Sequence, residues 1–175
     1  MCLLFKFALI LTYINWSLCI QFKYHTNEEL GSILQDFPST VSKPLRARTH
    51  SIGTTLEGNK LWVTEITATK PDALNIPNVK LIANIHGDEV VGRVVLLHFL
   101  HYLRDQYLQK NDTITKLLDS TRIHIMPTMN PDGFNISKID VQCHNNGKGR
   151  GNGKKNVDLN RSFPGKDIAY QYCSE

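Results

Sequence analysis

The chain has 175 residues, the size of a single domain. Its 20 Lys and Arg against 16 Asp and Glu leave a formal net charge of +4, too small an excess to argue for a nucleic-acid or membrane-surface partner. Hydrophobic residues at 41% and charged residues at 21% exclude a disordered chain, and four cysteines are too few for a disulfide-built miniprotein.

Residues 1–19 carry one early Lys6, an apolar run from Phe7 to Ile14, and small residues at Ser17 and Cys19. That pattern is expected of a secretory signal peptide cleaved after Cys19. The competing reading is an uncleaved transmembrane anchor, for which the apolar run falls short of the ~20 residues a span needs. No later stretch could span a membrane. Cleavage leaves Cys143 and Cys173 in an oxidising compartment, where they either pair or remain free thiols.

Thr26 followed by Glu29 forms a capping-box pattern, so a helix is expected there, with Leu30, Ile33 and Leu34 as its apolar face and Pro38 as its stop. Residues 45–55 and 60–69 read as a β-hairpin around Glu57-Gly58-Asn59. After a loop, residues 79–85 (VKLIANI) are nearly all apolar, as expected of a strand covered on both faces. Residues 88–107 predict a long helix, with Val90, Val91, Val94, Val95, Leu97 and Leu100 on its packed face. A shorter helix at 112–118 and a strand at 122–126 come next. Strand, helix, strand in that order implies a βαβ crossover in an α/β sheet. Residues 143–155 read as a solvated, mobile loop with Gly at 147, 149, 151 and 153. This loop fails the test for a phosphate-binding loop, because Lys148 stands five before Gly153, where the pattern needs Gly.

His86-Gly87-Asp88-Glu89 carries the most pointed chemistry. His86 lies just past the carboxyl end of a predicted strand, where open α/β sheets bind ligands. Glu89, expected in the first turn of the next helix, is close enough to share one cation with it, with Gly87 allowing the tight turn. Read blandly, Glu89 is a helix N-terminal charge and His86 a loop residue. Asn130-Pro131-Asp132-Gly133-Phe134 reads as a turn. In Asp158-Leu159-Asn160-Arg161, Arg161 could grip a carboxylate in a fork and Asn160 could add a neutral donor, although most lone arginines are surface charges.

Taken together, NIHGDEVVGR, RIHIMPTMNPDGF and NVDLNRSFP resemble the zinc metallocarboxypeptidases of the carboxypeptidase A/B superfamily. Their wording is similar to the regulatory branch, which includes carboxypeptidases D, E, M and N. The resemblance implies an α/β fold for residues 20–175, the amino-terminal part of a mixed-sheet carboxypeptidase domain with helices on both faces. It implies Zn2+ as cofactor, His86 and Glu89 as the first two metal ligands, and Asn160 and Arg161 as the pair that binds the substrate's terminal carboxylate. Arg150 is similar to the arginine that polarises the scissile carbonyl, a weaker match because its loop is about one residue longer than the branch pattern. The implied partners are peptide and protein carboxyl termini ending in Lys or Arg, met in the secretory pathway or outside the cell.

The family also has a third ligand, a His, and a glutamate general base downstream of the Asp-Leu-Asn-Arg segment. After Pro164 this sequence reads GKDIAYQYCSE, with no His. The expectation is therefore an incomplete catalytic domain, inactive as it stands. The alternative is a non-catalytic secreted protein that binds peptide carboxyl termini. Asn111-Asp112-Thr113 and Asn135-Ile136-Ser137 are glycosylation signals expected on exposed loops. Asn160-Arg161-Ser162 has the same form but falls within the implied clamp and is expected to stay unmodified.

Overall fold

The computed structural model describes residues 20–71, 73–137, 148–161 and 163. The expected signal segment, Cys143 and Cys173 lie outside the described residues.

Helix α1 spans Asn27–Asp36 and opens on the expected capping box: Thr26 accepts from the Glu29 N–H, and Glu29 accepts from the Thr26 N–H. Such a cap is worth about 1 kcal/mol. A 3-10 turn, Phe37–Thr40, comes next with Pro38 near its start, where a missing N–H costs nothing. Strands β1 (Arg46–Thr54) and β2 (Lys60–Thr67) form the expected antiparallel hairpin. Strand β3 covers Asn78–Ile82, helix α2 covers Val91–Leu108, helix α3 covers Asp112–Ser120 and strand β4 covers Arg122–Met126. A last short helix, α4, spans Pro131–Ile136. The sheet order is β1-β2-β4-β3, with β2 antiparallel and β3 parallel to β4. The parallel pair flanks α2 and α3 in the chain, as the crossover reading requires.

The core forms where α1, α2 and α3 meet one face of this mixed sheet. Leu30, Leu34 and Phe37 pack with Leu97, Leu100, Leu103, Ile114, Leu118, Ile66, Ile123 and Ile125. Each fully buried Leu or Ile contributes about 1.5–3 kcal/mol relative to exposure. Among the described residues these three helices share this one core against the mixed sheet, the α/β arrangement expected. On the other face of the sheet His124 lies 3.8 Å from Glu65.

Three local expectations are corrected. Strand β3 ends at Ile82, and Val79 and Ile82 are 40% and 55% exposed rather than covered on both faces, because only β4 flanks β3 among the described residues. Helix α2 starts at Val91, not Asp88, so Glu89 belongs to the preceding turn. Val91 and Val95 point outward, whereas Arg93 and Arg104 are buried on the same helix. Apolar periodicity misses this because the burial of Arg93 is offset by partners far along the chain: it donates to Asn27 Oδ1 and to the carbonyls of His25 and Thr26, and stacks 3.9 Å from the Phe134 ring centre. Burial pulls its guanidinium down to about 10, which still leaves it charged at neutral pH.

Candidate active site

Beyond the carboxyl ends of β3 and β4 the two segments stay side by side. The Met129 N–H donates to Ala83 O at 3.0 Å, and the Asn130 N–H to Asn84 O at 3.0 Å. Two buried amides organise the turns that leave these segments. Asn84 adopts a left-handed conformation (φ 57°), which Asn tolerates better than most residues. Its Nδ2 donates to the carbonyls of His86, Gly87 and Glu89, and its Oδ1 accepts from Thr128. Asn130 caps α4 by accepting from the Gly133 N–H, while its Nδ2 donates to the carbonyls of Ile85, Arg150 and Gly151. One side chain thus joins the β3 exit, α4 and the glycine-rich loop.

Backbone fits against backbone here. A Cβ on Gly87 would lie 2.1 Å from the Gly133 carbonyl carbon, and one on Gly133 would lie 2.4 Å from Gly149 O. Gly87 is therefore required by this close approach, not by the tight turn read from the sequence. Gly149, Gly151 and Gly153 are buried, so this part of the loop is packed on α4 rather than solvated. The Asn-Pro-Asp-Gly-Phe turn is helical, and its buried Asp132 accepts from Thr55 Oγ1, Asn59 Nδ2 and the Glu57 N–H. That carboxylate ties α4 to the β1–β2 turn.

The chemistry gathers on top of this frame. The His86 ring is buried, with Nδ1 3.0 Å from Glu89 Oε1 and Nε2 2.9 Å from Asp158 Oδ1. Asp158 Oδ2 accepts from Arg150 Nε at 3.1 Å, and Arg150 Nη1 lies 3.8 Å from Glu89 Oε1. The hydrogen bond from His86 holds the Asp158 carboxyl below its usual range, with the Asn160 N–H and the Arg150 charge adding to it against some desolvation. The Asn160 N–H donates to Asp158 Oδ1 at 2.9 Å. Both Asn160 and Arg161 are exposed, and Arg161 Nη1 donates to Asn160 O.

His86, Glu89 and Arg150 are thus brought together, and Asn160 joins them through its backbone. Arg161 stands at the rim. Sequence reasoning missed Asp158 as their organiser, as well as Asn84, Thr128 and Asn130 beneath them. Asp158 carried one signal: a carboxylate two residues before Asn160, inside the Asp-Leu-Asn-Arg motif. The other described histidines stay apart from this cluster. His98 packs on Phe22, His101 on Phe37, and His124 Nε2 lies 3.0 Å from Asn78 Oδ1.

Both ring nitrogens of His86 face carboxylate oxygens, which only accept when ionised. A neutral imidazole has one N–H, so a second positive partner is needed: a proton, or a cation shared with Glu89. An imidazole nitrogen and a carboxylate oxygen are a donor pair suited to zinc. Among the described residues no set of three His, Cys, Asp or Glu converges to hold a metal.

A sequence profile described as zinc carboxypeptidase matches residues 23–175. The chain belongs to the zinc carboxypeptidase family. Its relatives include mouse carboxypeptidase M, 43% identical over 146 residues, a match covering 83% of this chain and 32% of that protein. Human carboxypeptidase Z is 38% identical over 154 residues, covering 87% and 23%. Carboxypeptidases D and N are also among them, so the relatives are those of the regulatory branch. The chain spans about a third or less of the length of the curated relatives it matches. The fold agrees with the crystal structure of thrombin activatable fibrinolysis inhibitor, with TM-score 0.64 at 21% identity, covering 84% of this chain and 36% of that one. Carboxypeptidase A from Helicoverpa armigera gives TM-score 0.60 at 22% identity, covering 84% and 36%.

Proposed function

We propose that this chain carries the first half of a zinc carboxypeptidase centre, with His86 and Glu89 as metal ligands, Asn160 and Arg161 as the substrate-binding pair, and Arg150 as the arginine that polarises the scissile carbonyl. The observation that carries the reading is the His86 ring held between two carboxylates, Glu89 on Nδ1 and Asp158 on Nε2. A metal-bound histidine is oriented by the partner of its other nitrogen. Asp158 fixes the tautomer with the proton on Nε2, which leaves the Nδ1 lone pair for the metal beside Glu89.

Zinc in such a site activates water near neutral pH and polarises a carbonyl oxygen. Arg161 and Asn160 hold a free terminal carboxylate, the feature that separates an exopeptidase substrate from an internal peptide bond. Arg150, anchored by Asp158, presents a fixed positive charge to the oxygen on which charge develops during hydrolysis. The substrates are peptides and proteins ending in Lys or Arg. Residues 1–19 direct the chain into the secretory pathway, and the described residues include no helix long and apolar enough to cross a membrane. By itself the 175-residue polypeptide, which supplies two ligands and no assigned general base, does not turn over peptide at an enzymatic rate; proton transfer alone is worth ~10²–10⁴ in rate.

A peptide ending in Arg, and the same peptide amidated at its carboxyl terminus, would be titrated into the zinc-supplemented chain and assayed for release of free Arg. The free acid binds, the amide does not, Arg161→Ala abolishes binding, and no Arg is released. Release abolished by Glu89→Ala would show a complete active centre. Equal binding of acid and amide would remove the clamp, and with it both the enzymatic reading and the alternative of a carboxyl-terminus binder.

A further inference from the structure

We propose that Asn135 carries an N-linked glycan in the folded protein, and that the fold favours it over Asn111. The inference rests on the reading of residues 1–19 as a secretory signal. It starts at a buried cation. The Arg93 guanidinium has only N–H donors, and its Nη1 lies 2.9 Å from Asn27 Oδ1. That contact fixes which end of the Asn27 amide is oxygen. Asn27 Nδ2 then donates to Pro131 O at 2.9 Å and to Asn135 Oδ1 at 2.8 Å. Asn135 is thereby held with its oxygen inward, toward α1, and its nitrogen toward solvent. The residue is exposed.

The glycan bond forms at that nitrogen. A lipid diphosphate-linked oligosaccharide supplies the sugar: Nδ2 attacks the anomeric carbon, the carbon–oxygen bond to the diphosphate breaks, the lipid diphosphate leaves with the electron pair, and one Nδ2 proton is lost. Oδ1 is untouched, so the bond from Asn27 survives. On α4, Asn135 is two positions from Gly133 and from Ser137, about 200° around the helix axis from each. Gly133 meets Gly149, and Ser137 Oγ reaches Gly87 O at 3.4 Å. The glycan therefore sits on the side of α4 away from the His86 turn.

Asn111 is placed differently. Its Oδ1 accepts from the Thr113 and Ile114 N–H groups as the cap of α3, and its Nδ2 is turned to Gln106 Oε1 at 3.1 Å on a half-buried residue. A sugar on that nitrogen competes with Gln106 for the space. Asn160 is exposed but belongs to the proposed clamp.

The test is glycopeptide mapping of the full chain from secretory eukaryotic cells, expressed with its own leader and, separately, with a borrowed secretory leader and an appended reporter sequon. In the protease-resistant fraction, enzymatic glycan release should convert Asn135 to Asp in most molecules and Asn111 in a minority. In the chain without the reporter sequon, Asn135→Gln should remove most of the mobility shift, and Asn111→Gln should leave most of it. With the borrowed leader, an empty Asn135 beside an occupied reporter overturns the proposal, as does Asn111 occupied as fully as Asn135. Glycosylation with the borrowed leader but not with the native one upholds the Asn135 site and refutes the secretory reading alone.

Discussion

The core and the cradle of the site are held by opposite means. In the core, Leu97, Leu100, Leu103 and Ile125 are sealed between helices and sheet and make no polar contact that matters. In the cradle, Asn84, Asn130 and Asp132 are as deeply buried but direct their polar atoms at backbone or side-chain partners. The core tolerates imprecision in position because dispersion and burial are non-directional. The cradle fixes His86, Glu89 and Arg150 to within hydrogen-bond distances because its bonds are directional and costly to leave unmade. Stability and chemistry can therefore be damaged separately.

The largest expected effect belongs to the core. Leu100→Ala, at a fully buried position, should cost about 2–5 kcal/mol, read as a lowered denaturation midpoint. The folded fraction should keep the zinc and peptide affinity of the parent chain. A change in those affinities would mean that core and cradle are coupled.

Beside the core, the half-buried His101 sharpens the contrast. His101 packs on Phe37, and neither ring nitrogen has a hydrogen-bond partner. Burial, aided by the Arg104 charge, pushes its pKa down to about 4. The unfolded chain, with an ordinary His near 6.5, binds more protons across that window, so stability is complete above about pH 6.5 and falls as the pH drops toward 4. After discounting for partial solvent screening, the loss is ~2 kcal/mol. Denaturation midpoints from pH 4 to 7 should show the slope in the parent chain and its flattening in His101→Leu. An unchanged slope in the variant would place the titrating group elsewhere.

In the cradle, Gly87→Ala removes no polar atom yet forces a Cβ to within 2.1 Å of backbone. Such overpacking costs about 1–3 kcal/mol. Unlike Leu100→Ala, it should also weaken peptide binding in the fraction that remains folded, because the His86 turn must move away from α4 and the loop that carries Arg150. Intact binding in a stably folded Gly87→Ala chain would show that the close approach has no bearing on the site.

This division explains what could be read from the sequence. The capping box at Thr26, the hairpin at Gly58 and the parallel β3–β4 pair were legible because local propensity and apolar periodicity report directly on them. His86 and Glu89 were legible as a pair because they are three residues apart on a strand exit. Asp158 and Asn130 act across 72 and 20–45 residues of chain, and no local pattern marks a polar side chain that is useful only at such range. The burial of Arg93 escaped for the same reason: its compensation comes from Asn27, 66 residues away. The start of α2 was misplaced because Asn84 claims the Glu89 carbonyl for the turn, a competition that periodicity cannot register.

The central claim is that His86, oriented by Asp158, and Glu89 hold the metal. Zinc titration of the folded chain by calorimetry, in parallel for the parent, His86→Ala, Glu89→Ala and Asp158→Asn, tests it most directly. The parent should bind one zinc weakly, since two ligands under-fill a site that normally has three and a water. Binding should vanish in His86→Ala and Glu89→Ala, and should weaken about 10–100-fold in Asp158→Asn, which keeps the shape and removes the carboxylate charge facing Nε2–H. Zinc affinity unchanged by His86→Ala would contradict the account, whatever the other variants do.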